Sequence, residues 1–258
     1  MRLPANHTIL IKNVRRRLEI EASAITDTGP VRPSNQDTVG SFPDLGLFVV
    51  ADGMGGLEHG ELASRLAVSS LRDFVAGAPT ADPQTLRSGI ARANTRVMQE
   101  AVRLAVGGPP VELGTTIVVL LLSSDATRAN WAHVGDSRLY RFRGERLTLL
   151  TADHTRPGEA YRDSREIPLD LEHTNQLCQA LGLTEDIMIA TSSDAVQPGD
   201  LFLLCSDGVS GALHPAALHD QLRAAGSLEA LGRVLVDLAQ EASGRDNASA
   251  VLVRVTPG

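Results

Sequence analysis

Five aspartates could supply the chemistry of this chain, and each lies near glycine or asparagine at the edge of an apolar run. They are Asp37, Asp52, Asp136, Asp207 and Asp246. Taken singly, each fits an ordinary turn, because Asp-Gly and Gly-Asp-Ser commonly connect strands. If several of them met in one cleft, they would repel one another and take up protons unless a cation lay between them. Oxygen ligands without neighbouring His or Cys pairs favour Mg²⁺ or Mn²⁺ over zinc.

Two of these aspartates follow apolar runs that predict buried strands. Asp52 follows the run 45–51, and Asp207 comes shortly after the run 201–205. Strands that stop in this way can bring side chains from distant parts of the chain to one cleft. Gly53 would also let a backbone carbonyl approach the same ion, because glycine has no side chain.

The other patterns predict helices that cover antiparallel sheets. Further strands are expected over 18–28, 114–122, 129–134, 138–142, 146–150 and 248–255. Helices are expected over 62–75, 83–104, 215–224 and 227–242, the second with Asp82 as its N-cap and Pro83 at its first position. The strands between 114 and 150 are separated by short turns, so an antiparallel meander is the simplest interpretation. Together these elements predict an α+β fold.

The composition fits an ordinary packed protein. The chain has 258 residues, a net charge of −7, 43% hydrophobic residues and only 3% aromatic residues. That length suits one large domain or at most two small ones. Negative charge disfavours non-specific nucleic-acid binding, which requires basic groups to displace phosphate counterions. Few aromatic residues also disfavour stacking platforms for unpaired bases, so nucleic acid is not an expected partner.

Residues 1–17 are expected to form an N-terminal extension before a single domain that covers 18–258. The apolar run Thr8–Ile11 is too short for a signal peptide, and the basic cluster 15–17 follows it instead of preceding it. No window reaches the ~18 apolar residues that a membrane helix needs. Cys178 and Cys205 are too few for a disulfide scaffold. We therefore expect a cytoplasmic protein that does not bind membranes.

From about residue 23 to residue 255, the chain resembles the bacterial branch of the metal-dependent protein phosphatases, the PPM or PP2C type. Seven sequence blocks occur in the family's order. They are Gly29–Asp37, Val49–Gly56, Gly114–Thr116, His133–Tyr140, Leu150–Thr155, Cys205–Gly208 and Gly244–Asn247. One such block would be weak support, but seven in register indicate the family.

This resemblance implies a four-layer α-β-β-α sandwich, in which two antiparallel sheets pack face to face between helices. It also implies two bridged Mn²⁺ or Mg²⁺ ions, with attack on the phosphate by the water that bridges them. Two ions about 3.5–4 Å apart can activate such a water and stabilise the phosphoryl transition state. Asp136 with Asp207 would hold a third ion, and Arg32 would bind the substrate phosphate. The implied catalytic residues are Arg32, Asp37, Asp52, Asp207 and Asp246. The four aspartates among them, with the Gly53 carbonyl, would be the ligands of the paired ions.

Two segments depart from the family's pattern. Met54 stands where many relatives, chiefly eukaryotic, have a histidine that is proposed to protonate the departing alkoxide, and a thioether cannot donate a proton. His59 and a metal-bound water are the candidates that remain for this role. Residues 156–175 are charged and idiosyncratic where relatives carry a flap, so substrate choice is expected to differ.

Other polar residues of these blocks are expected to have structural roles. His133 and His154 lie within strand or turn motifs, where one hydrogen bond would satisfy each ring. Arg138 is expected to pair with a buried carboxylate, and the basic cluster 15–17 is expected to be solvated.

The sequence therefore predicts a Mn²⁺- or Mg²⁺-dependent phosphatase that acts on phosphoserine and phosphothreonine in proteins. The residues themselves support metal-assisted hydrolysis, whereas the resemblance implies the protein substrates. Expected partners are phosphorylated proteins, including a serine/threonine kinase and its substrates. Two alternatives stay open: a catalytically weak regulatory module with the same fold, and a phosphatase of a small phosphate ester.

Overall fold

The computed structural model describes residues 9–11, 18–54, 56–156, 176–224 and 226–258. The strands are β1 (Ile9–Ile11), β2 (Leu18–Asp27), β3 (Asp37–Phe42), β4 (Leu47–Met54), β5 (Gly114–Thr115), β6 (Ile117–Leu122), β7 (Arg128–Val134), β8 (Arg138–Arg143), β9 (Arg146–Leu149), β10 (Thr155–Arg156), β11 (Gln176–Leu177), β12 (Ala190–Ala195), β13 (Leu201–Cys205) and β14 (Ala248–Pro257). The helices are α1 (Gly56–Ala76), α2 (Pro83–Leu104), α3 (Asp207–Ser210), α4 (Pro215–Arg223) and α5 (Leu228–Ala242).

Most of these strands form two antiparallel sheets. The first has the order β1-β2-β14-β13-β8-β9, and the second has the order β12-β7-β6-β4-β3, with β5 paired to the end of β4. β2 and β14 pair along their whole length, from Leu18 opposite Pro257 to Asp27 opposite Ala248. The first and last long strands are therefore neighbours, and the turns that precede β3 and β14 lie close together.

Three apolar layers hold the sandwich together. Leu71 and Val119 belong to the layer between α1, α2 and the second sheet. Phe48 and Phe202 belong to the layer between the two sheets, and Leu235 belongs to the layer between the first sheet and α4 and α5. Every residue of β6 is buried, because both faces of its sheet are covered. The predicted α+β fold with four α-β-β-α layers is confirmed.

The predicted meander over residues 114–150 is wrong. β6 pairs with β7 and β8 pairs with β9, but β7 and β8 lie in different sheets. The chain changes sheet at Gly135, whose φ is 106° and where an added Cβ would lie 2.7 Å from the Thr116 side chain. Only glycine combines this φ with such a close approach at low cost. Residue alternation identifies strands but does not show which sheet each strand joins.

The helix predictions are confirmed more closely than the sheet topology. The Asp82 side chain accepts a hydrogen bond of 2.8 Å from the Thr85 backbone amide, so Asp82 is the N-cap of α2. None of the described helices is long and apolar enough to cross a membrane.

Two predictions fall largely on residues that the structure does not describe. Ile9–Ile11 pairs with β2, but residues 1–8 and 12–17, with the basic cluster, lie outside the described ranges. The domain boundary at residue 18 therefore stays a prediction. Residues 157–175 of the divergent segment also lie outside the described ranges.

Candidate metal centre

Asp37 and Asp52 lie directly opposite each other in the antiparallel pair of β3 and β4. Asp37 is the first residue of β3, whereas β4 continues past Asp52 to Met54. Asp52 therefore stands within a strand, although the sequence predicted it just beyond the strand end. Opposite residues in such a pair have Cβ atoms about 4.5–5.5 Å apart, so two carboxyl groups are neighbours here.

Asp207 and Asp246 reach the same edge of the sandwich from the first sheet. Asp207 begins α3 directly after β13, and Asp246 precedes β14, which is paired with β13. The Gly208 backbone lies so close to the Asn247 carbonyl that a Cβ on Gly208 would overlap it. Asp207 also lies close enough to Asp52 for its charge to raise the pKa of Asp52. Aspartates from both sheets thus lie beside one another.

Asp37 shows the clearest need for a cation. Ser206 Oγ donates to Asp37 Oδ2 over 2.8 Å, whereas Asp37 Oδ1 is buried and has no hydrogen-bond partner among the described residues. Burial raises the pKa of Asp37 to about 7, and the hydroxyl groups of Ser249 and Ser206 offset this rise only in part. A buried carboxylate oxygen without a donor is costly unless a cation approaches it.

The neighbouring aspartates show the same electrostatic conflict. Burial raises the pKa of Asp52 well above its ordinary value, and the charges of Asp37 and Asp207 raise it further. Asp207 is exposed to the cleft, yet the surrounding protein desolvates its carboxyl group enough to raise its pKa. Burial, followed by the charge of Asp207, raises the pKa of Asp136 to about 6. A divalent cation would relieve the repulsion among these groups.

No three Asp, Glu, His or Cys side chains of the described residues surround one point closely enough to hold an ion as they stand. Asp207 is nevertheless near enough to Asp52 for its charge to raise the pKa of Asp52, and Asp136, Asp207 and Asp246 line one cleft. The structure therefore brings the predicted residues to one place, and their role as metal ligands stays a prediction.

Arg32 lies at the rim of this site. Its Nη2 donates to Asp246 Oδ2 over 2.8 Å, and its Nε donates to the Arg245 carbonyl over 3.2 Å. The adjacent cleft has a volume of about 270 Å³ and is lined by Asp136, Asp207 and Asp246 among others. Nearly half of the Arg32 side chain is exposed, at 48%, so solvent reaches it. Its predicted phosphate contact is not tested by this geometry.

Thr116 joins Asp52 to the loop that carries Asp136, a role that its sequence block did not predict. Its Oγ1 accepts a hydrogen bond of 3.1 Å from the Asp52 amide. The same oxygen shares a hydrogen bond of 2.7 Å with Ser137 Oγ. Thr116 interrupts the strand predicted over 114–122, because its groups bond to β4 and to this loop instead of continuing one ladder.

Asn247 organises the loop that carries Arg32. Its Nδ2 donates to the carbonyl groups of Thr28 and Ser34, over 2.8 and 3.1 Å. Its Oδ1 accepts from the Gln36 amide over 2.9 Å. The only sequence signal for this residue was its place after Asp246 in a family block.

Three polar residues expected to have structural roles make such contacts, although not all as predicted. Arg138 binds the partly buried Asp153 with both sides of its guanidinium, through Nε at 3.0 Å and Nη2 at 2.7 Å. His133 Nε2 donates to the Ala152 carbonyl over 2.7 Å, but its buried Nδ1 has no hydrogen-bond partner among the described residues. His154 Nδ1 accepts from the Gly135 amide over 3.3 Å. The Arg138–Asp153 pair lies in the wall of the same cleft.

Comparisons with known proteins agree on one family. The protein phosphatase 2C model matches residues 33–252. The serine/threonine phosphatase Stp of Listeria welshimeri is 31% identical over 240 residues, which cover 88% of this chain and 93% of Stp. Among solved structures, Pseudomonas aeruginosa PppA, a key regulatory component of T6SS, is 34% identical with a TM-score of 0.76, over 92% of this chain and 97% of PppA.

A further structure bears on the metal. The catalytic domain of the serine/threonine protein phosphatase PstP, in complex with two manganese ions, is 27% identical with a TM-score of 0.78. The match covers 93% of this chain and 99% of that domain. Family model, relatives and fold confirm the resemblance seen in the sequence blocks: the chain belongs to the protein phosphatase 2C family and is a serine/threonine protein phosphatase of the bacterial type.

Proposed function

We propose that this phosphatase uses two divalent cations, Mn²⁺ or Mg²⁺, to hydrolyse phosphoserine and phosphothreonine in proteins. The observation that carries the proposal is the buried Asp37 Oδ1, which lacks a hydrogen-bond partner among the described residues. The proposed ligands of the paired ions are Asp37, Asp52, the Gly53 carbonyl, Asp207 and Asp246. Asp136 would hold a third ion together with Asp207.

The donor set fits hard cations. All the proposed ligands are carboxylate or carbonyl oxygens, which Mg²⁺ and Mn²⁺ prefer. The raised pKa values of Asp37, Asp52 and Asp207 arise from burial and mutual charge, and bound cations would remove the second cause. The PstP domain with two manganese ions supports this number of ions by likeness.

When bound, the paired cations would supply an activated water and would offset the charge of the phosphoryl group. Arg32 would bind phosphate oxygens with its forked guanidinium, and Asp246 holds it beside the proposed ligands. Ser206 fixes one oxygen of Asp37, which leaves the other for a cation. Met54 has no proton for the leaving group, so His59 or a water held at the proposed ions stays the predicted donor.

We also propose that the substrates are phosphorylated proteins, with a serine/threonine kinase of the same cell as the opposing enzyme. Relatives named serine/threonine phosphatases support this substrate class. Cys205 is a buried thiol outside any disulfide, which fits the proposed cytoplasmic location.

Phosphate release from a phosphothreonine peptide and from a small aryl phosphate tests the proposal. We expect turnover of both with Mn²⁺ and none with a chelator. Turnover that persists after exhaustive chelation would refute the metal mechanism. Binding of Mn²⁺ without turnover of either substrate would favour the regulatory module, and turnover of the aryl phosphate alone would favour a small phosphate ester.

A further inference from the structure

α1 and α2 enclose a groove on the outer surface, on the side of the helices away from the second sheet. Two cavities of about 480 and 760 Å³ share Asp73, Phe74 and Arg92, so they form one groove along the helix seam. Leu66 and Phe74 supply apolar surface, and Ser69, Thr95 and Gln99 supply neutral polar groups at one end. We call this end, lined by Leu66, Ser69, Ser70, Asp73, Phe74, Arg92, Thr95, Arg96 and Gln99, the α1–α2 groove.

The α1–α2 groove carries positive charge that the described protein does not neutralise. Arg92 and Arg96 stand one helical turn apart on α2, and both are exposed. Neither makes a hydrogen bond or ion pair with any residue in the described part of the chain, although the chain as a whole has a net charge of −7. Arg103 binds the carboxylate of Glu100 on α2 through two nitrogens, and the charge of Arg96 acts on Glu100 only as a weaker contribution to its lowered pKa.

The acidic groups along this seam are also engaged. Asp73 accepts hydrogen bonds of 2.9 and 2.6 Å from Arg72, so its charge is matched within α1. Asp82 lies at the far end and binds the Thr85 amide and the Thr80 hydroxyl group. An anion that enters between Ser69 and Arg96 would therefore meet two arginines that form no ion pair among the described residues, and several hydroxyl or amide donors.

The groove is within reach of a substrate bound at the metal centre. α1 begins at Gly56, two residues after β4 ends beside Asp52. With a rise of about 1.5 Å per residue, Ser70 lies about 20 Å along the helix from that start. An extended chain covers at most about 3.5 Å per residue, so about six residues would span this distance.

We infer that the α1–α2 groove docks an acidic segment of the phosphoprotein substrate, at least about six residues from the phosphorylated side chain. This inference rests on the proposed protein substrates. Aspartate and glutamate side chains would pair with Arg92 and Arg96, and an apolar side chain would cover Phe74. Because the pairs are exposed, the docking would lower KM, weaken with salt and leave kcat unchanged.

Matched phosphothreonine peptides test the inference. One carries four acidic residues eight positions from the phosphothreonine, and the other carries the corresponding amides. We expect the acidic peptide to have a KM about tenfold lower, as befits two exposed ion pairs. The double variant R92E/R96E should remove this difference without changing turnover of an aryl phosphate. The control R146E/R223E makes the same change in charge at β9 and α4, away from the groove, and should keep the difference between the two peptides.

Equal KM values for the two peptides, or an advantage that survives in R92E/R96E, would overturn the inference. An advantage lost equally in the control would reduce it to general electrostatic attraction, which also overturns it. Fluorescence anisotropy with an unphosphorylated acidic peptide measures binding to the same groove without catalysis. If the protein does not turn over phosphopeptides, this binding measurement still tests the inference. We expect R92E/R96E to weaken binding of the acidic peptide about tenfold and R146E/R223E to leave it unchanged.

Discussion

Asp207, on the first sheet, lies close enough to Asp52, on the second, for its charge to raise the pKa of Asp52. The two sheets therefore meet where the predicted ligands lie. Like charges this close favour either a retained proton on one carboxyl group or a cation between them.

Asp207→Asn should lower kcat at least ~100-fold, because it removes a carboxylate shared by the proposed ions. The melting temperature of the metal-free protein should stay the same or rise, since one of several repelling charges is gone. Steady-state kinetics with Mn²⁺ and a thermal melt in chelator check both parts. The exposed Asp186→Asn serves as control, and equal activity of the two variants would count against the ligand role.

The metal-free protein should become less stable as the pH rises from 5 to 8. Folding raises the pKa of Asp37 to about 7 and that of Asp136 to about 6, from about 3.9 in an unfolded chain. A raised pKa gives a contribution to stability that is complete below about pH 4 and is lost as the pH passes the folded value. Hydrogen bonds lower the pKa of Asp125 to about 2, so Asp125 affects stability only below this pH range.

Thermal melts in chelator over this pH range measure the effect. Asp37→Asn should flatten the slope, because an amide has no proton to lose. Saturating Mn²⁺ should flatten it or reverse its sign, since the metal competes with protons for the same oxygens. A melting temperature that climbs steadily with pH in the wild-type metal-free protein would contradict the assignment of these pKa shifts.

Arg32→Ala should raise KM about 10- to 100-fold for a phosphopeptide, the usual range for a lost charged hydrogen bond. The change in kcat should be smaller, because the proposed ligands stay in place. Arg32→Lys is the matched control: it retains the charge without the fork and should give an intermediate KM. A variant in which kcat alone falls would place Arg32 in the chemical step instead of in phosphate binding.

Gly208→Ala should damage the metal centre through the backbone. A Cβ at this position would overlap the Asn247 carbonyl, so the turns that carry Asp207 and Asp246 would have to move apart. We expect a large loss of stability or weaker Mn²⁺ binding by calorimetry. Gly108→Ala adds the same methyl group where no atom lies within 4 Å, and it should leave both quantities unchanged.

Local rules predicted most of the elements because each depends on neighbouring residues. The pattern around Asp82 and Pro83 was enough to predict the start of α2, since an N-cap bonds within one turn. The strand before Asp207 was equally clear from its apolar run. The change of sheet at Gly135 could not be predicted, because it depends on the Thr116 side chain that packs against that glycine.

The amino-acid sequence by itself determined the family, the set of oxygen ligands and the identity of the five aspartates, because residue types and short sequence blocks are enough to specify them. Only the tertiary structure decided that Asp37 faces Asp52, that Ser206 holds one oxygen of Asp37, and that Arg92 and Arg96 border a groove and form no ion pair among the described residues. Each of these relationships joins segments or surfaces that approach only when the layers pack. Burial and mutual repulsion then raise the pKa values of aspartates that would be ordinary in an unfolded chain.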